Sequence, residues 1–368
     1  MTEPFELLDE LGPEKIIHMH DPSTGLKAIL VIDNVAAGPA IGGCRMAVDV
    51  SLNECARLAR AMTLKNAAAG LPHGGAKSVI FGDPKMPINE KERLIRSFAY
   101  AIRDNHDYIV GPDMGTDEIC MAWCHDIIGR AVGLPREIGG IPLDLIGATG
   151  YGLCASIEVA SEFRGLDLKG ATVVVQGFGS VGIHVSRFLA EKGAVIIGVA
   201  DIYGGLSDPN GLDVAALMAL KGRGGKVQEL GAGQLIERDA VIDIACDIWI
   251  PAARPDVIDM NNVDRLDTKI FAQGANIPAS PEAEDALAQR GTVILPDFIA
   301  NAGGVICGAV EYGGRSELQA MSSIADKVAN NTRTMLQRAA GEGISSRQAA
   351  MAMAVERVRQ AMRYRKTC

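Results

Sequence analysis

Two lysines, Lys65 and Lys77, stand in a segment, residues 62–80, that otherwise consists mostly of apolar and small residues. Lysine is costly to bury, so two lysines around a glycine turn, outside any solvated run of charge, indicate a functional role. One ammonium group could pair with the carboxylate of a bound molecule, and the other could give and take protons. A single lysine in such a place would more often be a surface residue whose stem covers apolar neighbours.

A lone carboxylate, Asp113, follows the strand-like residues 108–110 in a tight Gly-Pro-Asp loop. Catalytic groups commonly lie in loops at strand ends, which makes Asp113 a candidate acid or base. The alternative is that Asp113 caps the helix that follows, and this feature alone does not separate the two interpretations.

A glycine-rich turn with the spacing G-x-G-x-x-G follows the β-branched run at residues 172–176. Gly177 would allow the tight turn, Gly179 would let the backbone approach a pyrophosphate, and Gly182 would let a helix pack closely on the strand. The N-terminus of that helix would present N–H groups to phosphate. The alternative is a purely structural turn. The residues that this pattern predicts to contact a nucleotide are Gly177, Phe178, Gly179, Ser180, Val181 and Gly182.

An acidic residue, Asp201, ends the next strand-like run. An acid at this distance from the glycines is typical of a site that binds the hydroxyl groups of an adenosine ribose. Its charge would repel the 2′-phosphate of NADP, and no arginine follows in residues 202–205. The sequence therefore predicts NAD as the cofactor.

Short apolar runs alternate with helical patterns along the chain, which predicts an α/β fold with a parallel sheet covered on both faces. Strands are expected at residues 28–33, 78–81 and 172–176, and helices at 52–64 and 90–103. A length of 368 residues indicates two domains. We predict an N-terminal α/β substrate and oligomerisation domain at 1–145. A Rossmann-type, doubly wound dinucleotide-binding domain at 146–334 follows, and C-terminal helices at about 335–368 pack back on the first domain. The apolar residues of the last helix that share one face are Met351, Val355, Val358 and Met362.

The composition narrows the class of protein. The formal net charge is −9 with no run of lysine or arginine, which argues against a nucleic-acid or anionic-membrane surface. The acidic N-terminus has no signal-peptide pattern, and no apolar stretch is long enough to span a membrane, so we expect a cytoplasmic protein. The eight cysteines are scattered and are expected to be buried thiols. Cys120, Cys124 and His125 could approach one metal ion, but they lie in a helical pattern without a second cluster, so we predict no metal site.

The chain resembles the glutamate/leucine/phenylalanine/valine dehydrogenase family over nearly its whole length. The motifs occur in the same order and are together highly specific. They are Gly42-Gly43-x-Arg45, Met62-Thr-Leu-Lys65-Asn, Gly74-Gly75-Ala-Lys77, Pro112-Asp113, Ala148-Thr149-Gly150-x-Gly152, the glycine-rich turn, Gly274-Ala275-Asn276, and Pro296-Asp297-x3-Asn301-Ala302-Gly303-Gly304-Val305. The resemblance implies an NAD-dependent enzyme that converts an L-amino acid to its 2-oxo acid and ammonia. It also implies a homo-oligomer with a cleft between its domains that closes on the substrate.

The resemblance also implies roles for individual residues. Lys65 would bind the substrate α-carboxylate, Lys77 would activate the attacking water, and Asp113 would handle protons at the amino nitrogen. Three further residues implied at the substrate are Gly42, Gly43 and Met62, of which the two glycines form the floor of the site. Those implied near the nicotinamide are Thr149, Asn276 and Asn301.

The substrate side chain can be argued from two positions, although the second domain is the more similar to glutamate enzymes. Where glutamate enzymes of the family carry a lysine and a serine that bind the distal carboxylate, this chain has Ile41 and Gly308. Burying an unpaired carboxylate there would cost on the order of several kcal/mol, so an apolar side chain is expected. Gly308 and Gly111 would leave a roomy pocket for a long aliphatic or aromatic side chain, with phenylalanine slightly ahead of leucine. The alternative is that a neighbouring side chain fills this space. Two other functions stay open, a glutamate dehydrogenase and a catalytically silent nucleotide-binding regulator.

Overall fold

The structure, a computed structural model, describes residues 5–365 and divides into two compact units. The first unit contains the chain up to Leu143, Val305–Ser323 and the chain from Met351. The second unit contains Asp144–Gly304 and Ile324–Ala350. The predicted division differs from these bounds mainly near the C-terminus, where two separate stretches, instead of one beginning at residue 335, group with the first unit. Helical periodicity shows where a helix runs but not which neighbours it contacts, and the prediction had only periodicity to use.

A five-stranded mixed sheet forms the centre of the first unit, in the order β1-β2-β4-β3-β5. Its strands are β1 (Lys15–Asp21), β2 (Leu26–Asn34), β3 (Ala40–Ala47), β4 (Gly75–Phe81) and β5 (Tyr108–Pro112). The pairs β1–β2 and β2–β4 are antiparallel, whereas β3 is parallel to both of its neighbours. The expectation of a purely parallel sheet is therefore wrong for this unit, because a four-residue connection at 22–25 joins β1 and β2 and only antiparallel strands can be joined so closely.

The second unit is built on a seven-stranded sheet in the order β12-β11-β10-β6-β7-β8-β9. Its strands are β6 (Thr172–Gln176), β7 (Val195–Asp201), β8 (Gly204–Ser207), β9 (Gln234–Ile236), β10 (Cys246–Pro251), β11 (Thr268–Ala272) and β12 (Val293–Leu295). The five strands β12, β11, β10, β6 and β7 are parallel, and β8 and β9 extend the sheet as antiparallel strands. The chain moves outward from β6 in both directions, which is the Rossmann-type arrangement that was predicted.

Twelve α-helices accompany the sheets in the described part of the chain. They are α1 (Leu52–Ala68), α2 (Ile88–Ala101), α3 (Glu118–Ile128), α4 (Leu143–Ile146), α5 (Ala148–Arg164), α6 (Ser180–Glu191), α7 (Val214–Gly222), α8 (Pro281–Gln289), α9 (Asp297–Ala300), α10 (Gly303–Tyr312), α11 (Glu317–Glu342) and α12 (Ser346–Tyr364). In α12 the predicted apolar face is only partly right, since Met351 and Met362 are exposed while Ala350, Ala354 and Val358 are buried. Within residues 5–365, no helix combines the length and the hydropathy that crossing a membrane requires.

The sheet of the first unit has a core on each face. Helix α1 packs against one face, where Cys55 and Ala59 contact Val31 and Val79. Helices α2 and α3 cover the other face with side chains such as that of Phe98. Because both faces are covered, a polar side chain on an inner strand of this sheet is removed from bulk water, and this accounts for the burial of the charged residue described next.

Candidate active site

Lys77 and Asp113 form an ion pair in the first unit, with Lys77 Nζ 2.8 Å from Asp113 Oδ2. Lys77 lies on the inner strand β4 and is only 5% exposed, while Asp113 directly follows β5. The same oxygen, Oδ2, accepts a hydrogen bond from Arg45 Nε, also at 2.8 Å. Both of these contacts are made to Oδ2.

A glycine on the strand between them makes this pair possible. Strand β3 lies between β4 and β5, and in its register Gly43 stands opposite Gly111. A Cβ on Gly43 would lie 2.8 Å from the Cβ of Asp113 and 3.1 Å from Nζ of Lys77. Gly42 is equally confined, since its Cβ would lie 1.7 Å from the carbonyl oxygen of Ala76. Gly43 therefore adjoins the ion pair, where a side chain would disrupt it, and a side chain on Gly42 would collide with the backbone of β4.

The electrostatics hold Asp113 as a carboxylate. Burial alone would raise the pKa of Asp113, but the charge of Lys77 and the hydrogen bonds from Lys77 and Arg45 outweigh burial, so the pKa is lowered. The alternative role of Asp113 as a helix cap is wrong, because Asp117 caps α3 by accepting a hydrogen bond from the backbone N–H of Cys120.

Two residues that were not predicted from the sequence, Arg45 and Thr116, hold the Asp113 loop. Arg45 pairs with Asp113 on one side and with Glu54 on the other, at 2.5 Å. Thr116 Oγ1 accepts from the backbone N–H of Asp113 and donates to the carbonyl oxygen of Cys44 on β3. Arg45 had been noted only as part of a family motif, although an arginine on a buried strand was itself a signal.

The residues Met62 and Lys65 lie one turn apart on α1, and both are half-buried. The end of this helix is fixed by Asn66, whose side-chain N–H groups donate to the carbonyl oxygens of Gly74 at 2.7 Å and Ile41 at 3.3 Å. This fixes α1 against the starts of β3 and β4, next to the floor glycines. Asn66 is a further positioning residue that the sequence argument did not single out.

The predicted side-chain pocket is lined by apolar residues. Ile41 packs with Ile109 and Val132 in a small cluster of buried residues. The Val132 side chain would lie 3.5 Å from a Cβ on Gly308 and 3.3 Å from one on Gly111. Val132 therefore borders the space beside the two glycines, and the room that they leave for a substrate side chain stays a prediction. Val132 is far from Ile41 in sequence, so its place could not be read from local patterns.

A buried glutamate holds the segment that follows Val132. Glu311 on α10 accepts hydrogen bonds from the backbone N–H groups of Leu134 and Ile141, both at 3.1 Å. Burial raises the pKa of Glu311, although these N–H donors oppose the shift. Glu311 therefore fixes the loop that sets the position of Val132.

The glycine-rich turn of the second unit has the geometry that a dinucleotide needs. Gly177 has φ = +99°, and a Cβ there would lie 2.6 Å from the backbone nitrogen of Ala253, which follows β10. A Cβ on Gly182 would lie 1.9 Å from the carbonyl oxygen of Gly177, so only glycine lets α6 pack here. A Cβ on Gly179 would meet no atom within 4 Å, which leaves this part of the backbone open to a ligand.

The neighbours of this turn vary in exposure. Ser180, the first residue of α6, is exposed and donates a hydrogen bond to Asp144, whereas Phe178 is buried and Val181 is half-buried. The turn meets the end of β10 beside the point where the strand order diverges from β6, which is where open α/β sheets bind ligands. These residues fit a dinucleotide.

Asp201, at the end of β7, is buried and fully engaged. Its Oδ1 accepts from the backbone N–H of Tyr203, and its Oδ2 accepts from Lys221 Nζ at 3.0 Å and from the N–H of Val227 at 3.1 Å. Burial would raise the pKa of Asp201, but these donors outweigh it and the pKa is lowered. Lys221, which lies on α7, neutralises the charge of Asp201. This lysine was not predicted from the sequence, because only residues 202–205 were searched for a positive charge.

The structure brings two of the three predicted nicotinamide residues into direct contact. Asn301 Nδ2 donates to Oδ1 of Asn276 at 2.9 Å, and Asn276 is exposed. Thr149, near the start of α5, adjoins Gly303, since a Cβ on that glycine would lie 3.0 Å from the Thr149 Cα. All three residues belong to the second unit, whereas Lys77, Asp113 and Ile41 belong to the first.

The cysteine cluster considered as a metal site lies in the core. Cys120 and Cys124 lie on the buried face of α3, and burial raises the pKa of Cys120 to about 11. Across the residues that the structure describes, no group of three or more histidine, cysteine or acidic side chains is arranged to hold a metal ion.

Comparison with known proteins assigns this arrangement to a family. Residues 13–129 match the family model of the Glu/Leu/Phe/Val dehydrogenase dimerisation domain, and residues 139–366 match that of Glutamate/Leucine/Phenylalanine/Valine dehydrogenase. The chain belongs to this family. It is accordingly an oxidoreductase of the amino-acid dehydrogenase type, in a family that uses a nicotinamide dinucleotide, and the resemblance drawn from the motifs is confirmed.

Similar proteins illustrate the family's range. The glutamate dehydrogenase of Aeropyrum pernix is 38% identical over 90% of this chain and 85% of its own length. The NADP-specific glutamate dehydrogenase of Saccharolobus shibatae is 36% identical over 90% of this chain and 83% of its own length. Among solved structures, the Leu-bound form of the hetero-hexameric glutamate dehydrogenase from Thermus thermophilus is 30% identical. It superimposes with a TM-score of 0.85 over 97% of this chain and 91% of that chain.

Proposed function

We propose that this dehydrogenase converts an L-amino acid with an apolar side chain, NAD⁺ and water to the 2-oxo acid, ammonium, NADH and a proton, reversibly. The observation that carries the proposal is the buried Lys77–Asp113 pair beside Gly43, in a site whose side-chain wall includes Ile41. A buried ion pair of this kind is costly to the fold and is typical of a catalytic site.

Each residue has a proposed task. Lys65 binds the α-carboxylate of the substrate, and Lys77 orients and activates the attacking water. Asp113, held as a carboxylate, takes a proton from the substrate amino group. When bound, the nicotinamide accepts the hydride from the substrate Cα.

The substrate side chain is proposed from what lines the wall. Ile41, Ile109 and Val132 offer no donor to a carboxylate, and a glutamate side chain against them would lose its hydration without compensation. The relatives named above are glutamate dehydrogenases, so a glutamate dehydrogenase remains the second candidate function. Because Val132 borders the space beside Gly308 and Gly111, we favour aliphatic side chains such as those of valine and leucine over aromatic ones.

The cofactor is proposed to be NAD because Asp201 stands where ribose hydroxyl groups would bind. The ion pair with Lys221 weakens the discrimination that Asp201 provides between NAD and NADP. One relative of the chain is named an NADP-specific enzyme. We therefore expect a preference for NAD that is moderate. We also propose that the protein is cytoplasmic and assembles as a homo-oligomer. The matched dimerisation-domain model and the hetero-hexameric Thermus relative support assembly into an oligomer.

The test is the rate of NADH formation from NAD⁺ with glutamate, valine, leucine and phenylalanine, using the unmodified protein and the variants Lys77→Met and Asp113→Asn. We expect each variant to lose about 10²–10⁴-fold in kcat, the range for a lost acid or base. Lys15→Met is the matched control, because Lys15 also pairs with an aspartate of the first unit but is 46% exposed. Nucleotide binding without turnover of any amino acid would instead favour the silent regulator, and glutamate as the best substrate would favour a glutamate dehydrogenase.

A further inference from the structure

The loop at residues 274–278, which carries Asn276, is held by side chains at two points in the second unit, and its backbone is also hydrogen-bonded to Pro251 and Asp256. Asn301 Nδ2 donates to the carbonyl oxygen of Gly274 at 3.3 Å and to Asn276 Oδ1 at 2.9 Å. At the other point, the backbone N–H of Ile277 donates to Oδ2 of Asp297 at 2.9 Å. The loop is therefore fixed by hydrogen bonds on both sides of the exposed residue Asn276.

Ile277, the residue that Asp297 holds, has a strained backbone conformation. Ile277 has φ = +47°, a left-handed conformation that is costly for a β-branched side chain, and its side chain is 51% exposed. Exposure means that packing does not force this conformation. Strained backbone of this kind persists only where the surroundings over-determine it, and it clusters at ligand sites. The hydrogen bond to Asp297 is the contact that holds the Ile277 N–H in place.

Asp297 is in turn held by an arginine fifty residues later in the chain. Arg347, on the first turn of α12, places Nη1 and Nη2 each 3.2 Å from Oδ1 of Asp297. The same guanidinium binds Glu284 at 2.7 and 2.6 Å and the side-chain oxygen of Gln273 at 2.9 Å. Arg347 uses Oδ1 and the loop uses Oδ2, so the carboxylate links the arginine to the backbone of Ile277.

The network is buried, which makes its geometry rigid. Gln273 is fully buried, and Glu284 and Asp297 are 5% and 6% exposed. Gln273 also accepts from the backbone N–H of Asp297 and donates to Glu284 at 2.7 Å, so each polar group in the network has a partner. Fully satisfied buried networks fix one arrangement and are sensitive to the loss of any member.

We propose that Arg347 is a positioning residue for the nicotinamide end of the cofactor. It holds Asp297, Asp297 holds the strained Ile277, and Ile277 fixes the direction in which Asn276 presents its amide nitrogen. The proposal rests on the proposed function, because it takes Asn276 to contact the nicotinamide carboxamide. Arg347 itself touches neither substrate nor cofactor, and its effect is transmitted through the loop.

The test compares the binding of two nucleotides, NADH and ADP-ribose, which lacks the nicotinamide. Dissociation constants are measured for the unmodified protein and for Arg347→Gln, Arg347→Lys and Glu284→Gln. In Arg347→Gln we expect affinity for NADH to fall about tenfold and affinity for ADP-ribose to change less than about twofold, because only the nicotinamide contact is misplaced. Arg347→Lys, which keeps the charge but cannot make the bidentate contact, should lose an intermediate amount of affinity for NADH.

The variant Glu284→Gln separates positioning from stability. It removes the charge from the shorter ion pair of the same arginine and is expected to lower the midpoint of urea unfolding, yet it leaves the contact between Asp297 and Ile277 intact. Its ratio of NADH to ADP-ribose affinity should therefore match that of the unmodified protein. Should Arg347→Gln fail to fold, Arg347→Lys and Glu284→Gln still give the comparison.

Steady-state kinetics provide a second measurement. In Arg347→Lys the KM for NAD⁺ should rise while the KM for the amino acid stays unchanged. Equal losses for both nucleotides, or no loss for either, would overturn the positioning role and leave the proposed reaction untouched. An unmodified protein that binds neither nucleotide would overturn both proposals, whereas a preference for glutamate would affect only the proposed substrate.

Discussion

Nζ of Lys221 lies 3.0 Å from Oδ2 of Asp201, and the two side chains are 18% and 6% exposed. The acid at the end of β7 is therefore not a bare negative charge but half of an ion pair. A 2′-phosphate placed near Asp201 would meet a cation as well as an anion. We therefore expect Asp201 to repel the 2′-phosphate of NADP less than an unpaired aspartate would.

We expect the two halves of this pair to act in opposite directions on cofactor choice. Lys221→Met should lower kcat/KM for NADP by about tenfold with a smaller effect on NAD, because a charge-assisted contact to phosphate is lost. Asp201→Ser should raise kcat/KM for NADP, because it frees Lys221 and removes the repulsion. The measurement is kcat/KM with each cofactor at a saturating amino acid concentration.

Lys269→Met is the control for the cofactor variants, since Lys269 also pairs with an aspartate of the second unit, Asp247, at 2.7 Å. Its ratio of NAD to NADP activity should equal that of the unmodified protein. If Lys221→Met left the ratio unchanged as well, Lys221 would have no part in cofactor choice.

The pH dependence of activity should show how far Arg45 lowers the pKa of Asp113. The pKa of Asp113 is lowered in the folded protein, so the carboxylate is lost, and activity falls, only as the pH drops through that lowered value. Arg45→Gln removes one of the two cations, so the pKa should rise and the acid limb of log kcat/KM should move to higher pH. The measurement is kcat/KM over a pH range that extends below pH 4, where the acid limb of the unmodified protein is expected.

A matched arginine tests whether this shift is local. Arg265 pairs with Asp243 at 2.8 Å in the second unit, and both side chains are about half exposed. Arg265→Gln should leave the acid limb in place. An unshifted limb in Arg45→Gln would show that the titration belongs to a group other than Asp113.

The fold could be predicted where local pattern and tertiary contact agree. The strands at 28–33 and 172–176 were predicted because their buried β-branched runs are short and end in turns. Strands β8 (Gly204–Ser207) and β9 (Gln234–Ile236) were missed, because a four-residue strand with two glycines carries no periodicity. In α12 the spacing of large side chains suggested one face, but the residues actually buried include Ala350 and Ala354, whose small size gave no such signal.

The site shows the same division. Lys65, Lys77 and Asp113 could be singled out because charged residues in apolar surroundings are locally visible. Val132 and Lys221 could not, because each depends on which segments the fold brings together. Val132 reaches Ile41 only through the parallel register of β3 and β5 and through the loop held by Glu311.

We expect Val132 to set the size of the accepted side chain. Val132→Ala removes two buried methyl groups beside Gly111 and Gly308, so kcat/KM for phenylalanine relative to valine should rise about tenfold. Val132→Ile should change the ratio in the opposite direction. Urea unfolding should show a loss of about 1–2 kcal/mol for Val132→Ala, which accounts for the methyl groups and nothing more. An unchanged ratio in both variants would place the size limit elsewhere.

The charge that this wall lacks can be supplied. The double variant Ile41→Lys with Gly308→Ser introduces an ammonium group and a hydroxyl where Ile41 and Gly308 now offer no donor. The new Cβ at 308 would lie 3.5 Å from Cγ2 of Val132, an ordinary contact, so the helix should accept it. A charge-assisted pair with the distal carboxylate should raise kcat/KM for glutamate by at least about tenfold, and the buried lysine should lower it for leucine. Ile41→Met, which keeps the size without the charge, is the control and should leave glutamate a poor substrate. Were the unmodified protein already to prefer glutamate over leucine, the apolar wall at Ile41 would not govern specificity, and a distal-carboxylate site formed by other residues would have to be sought.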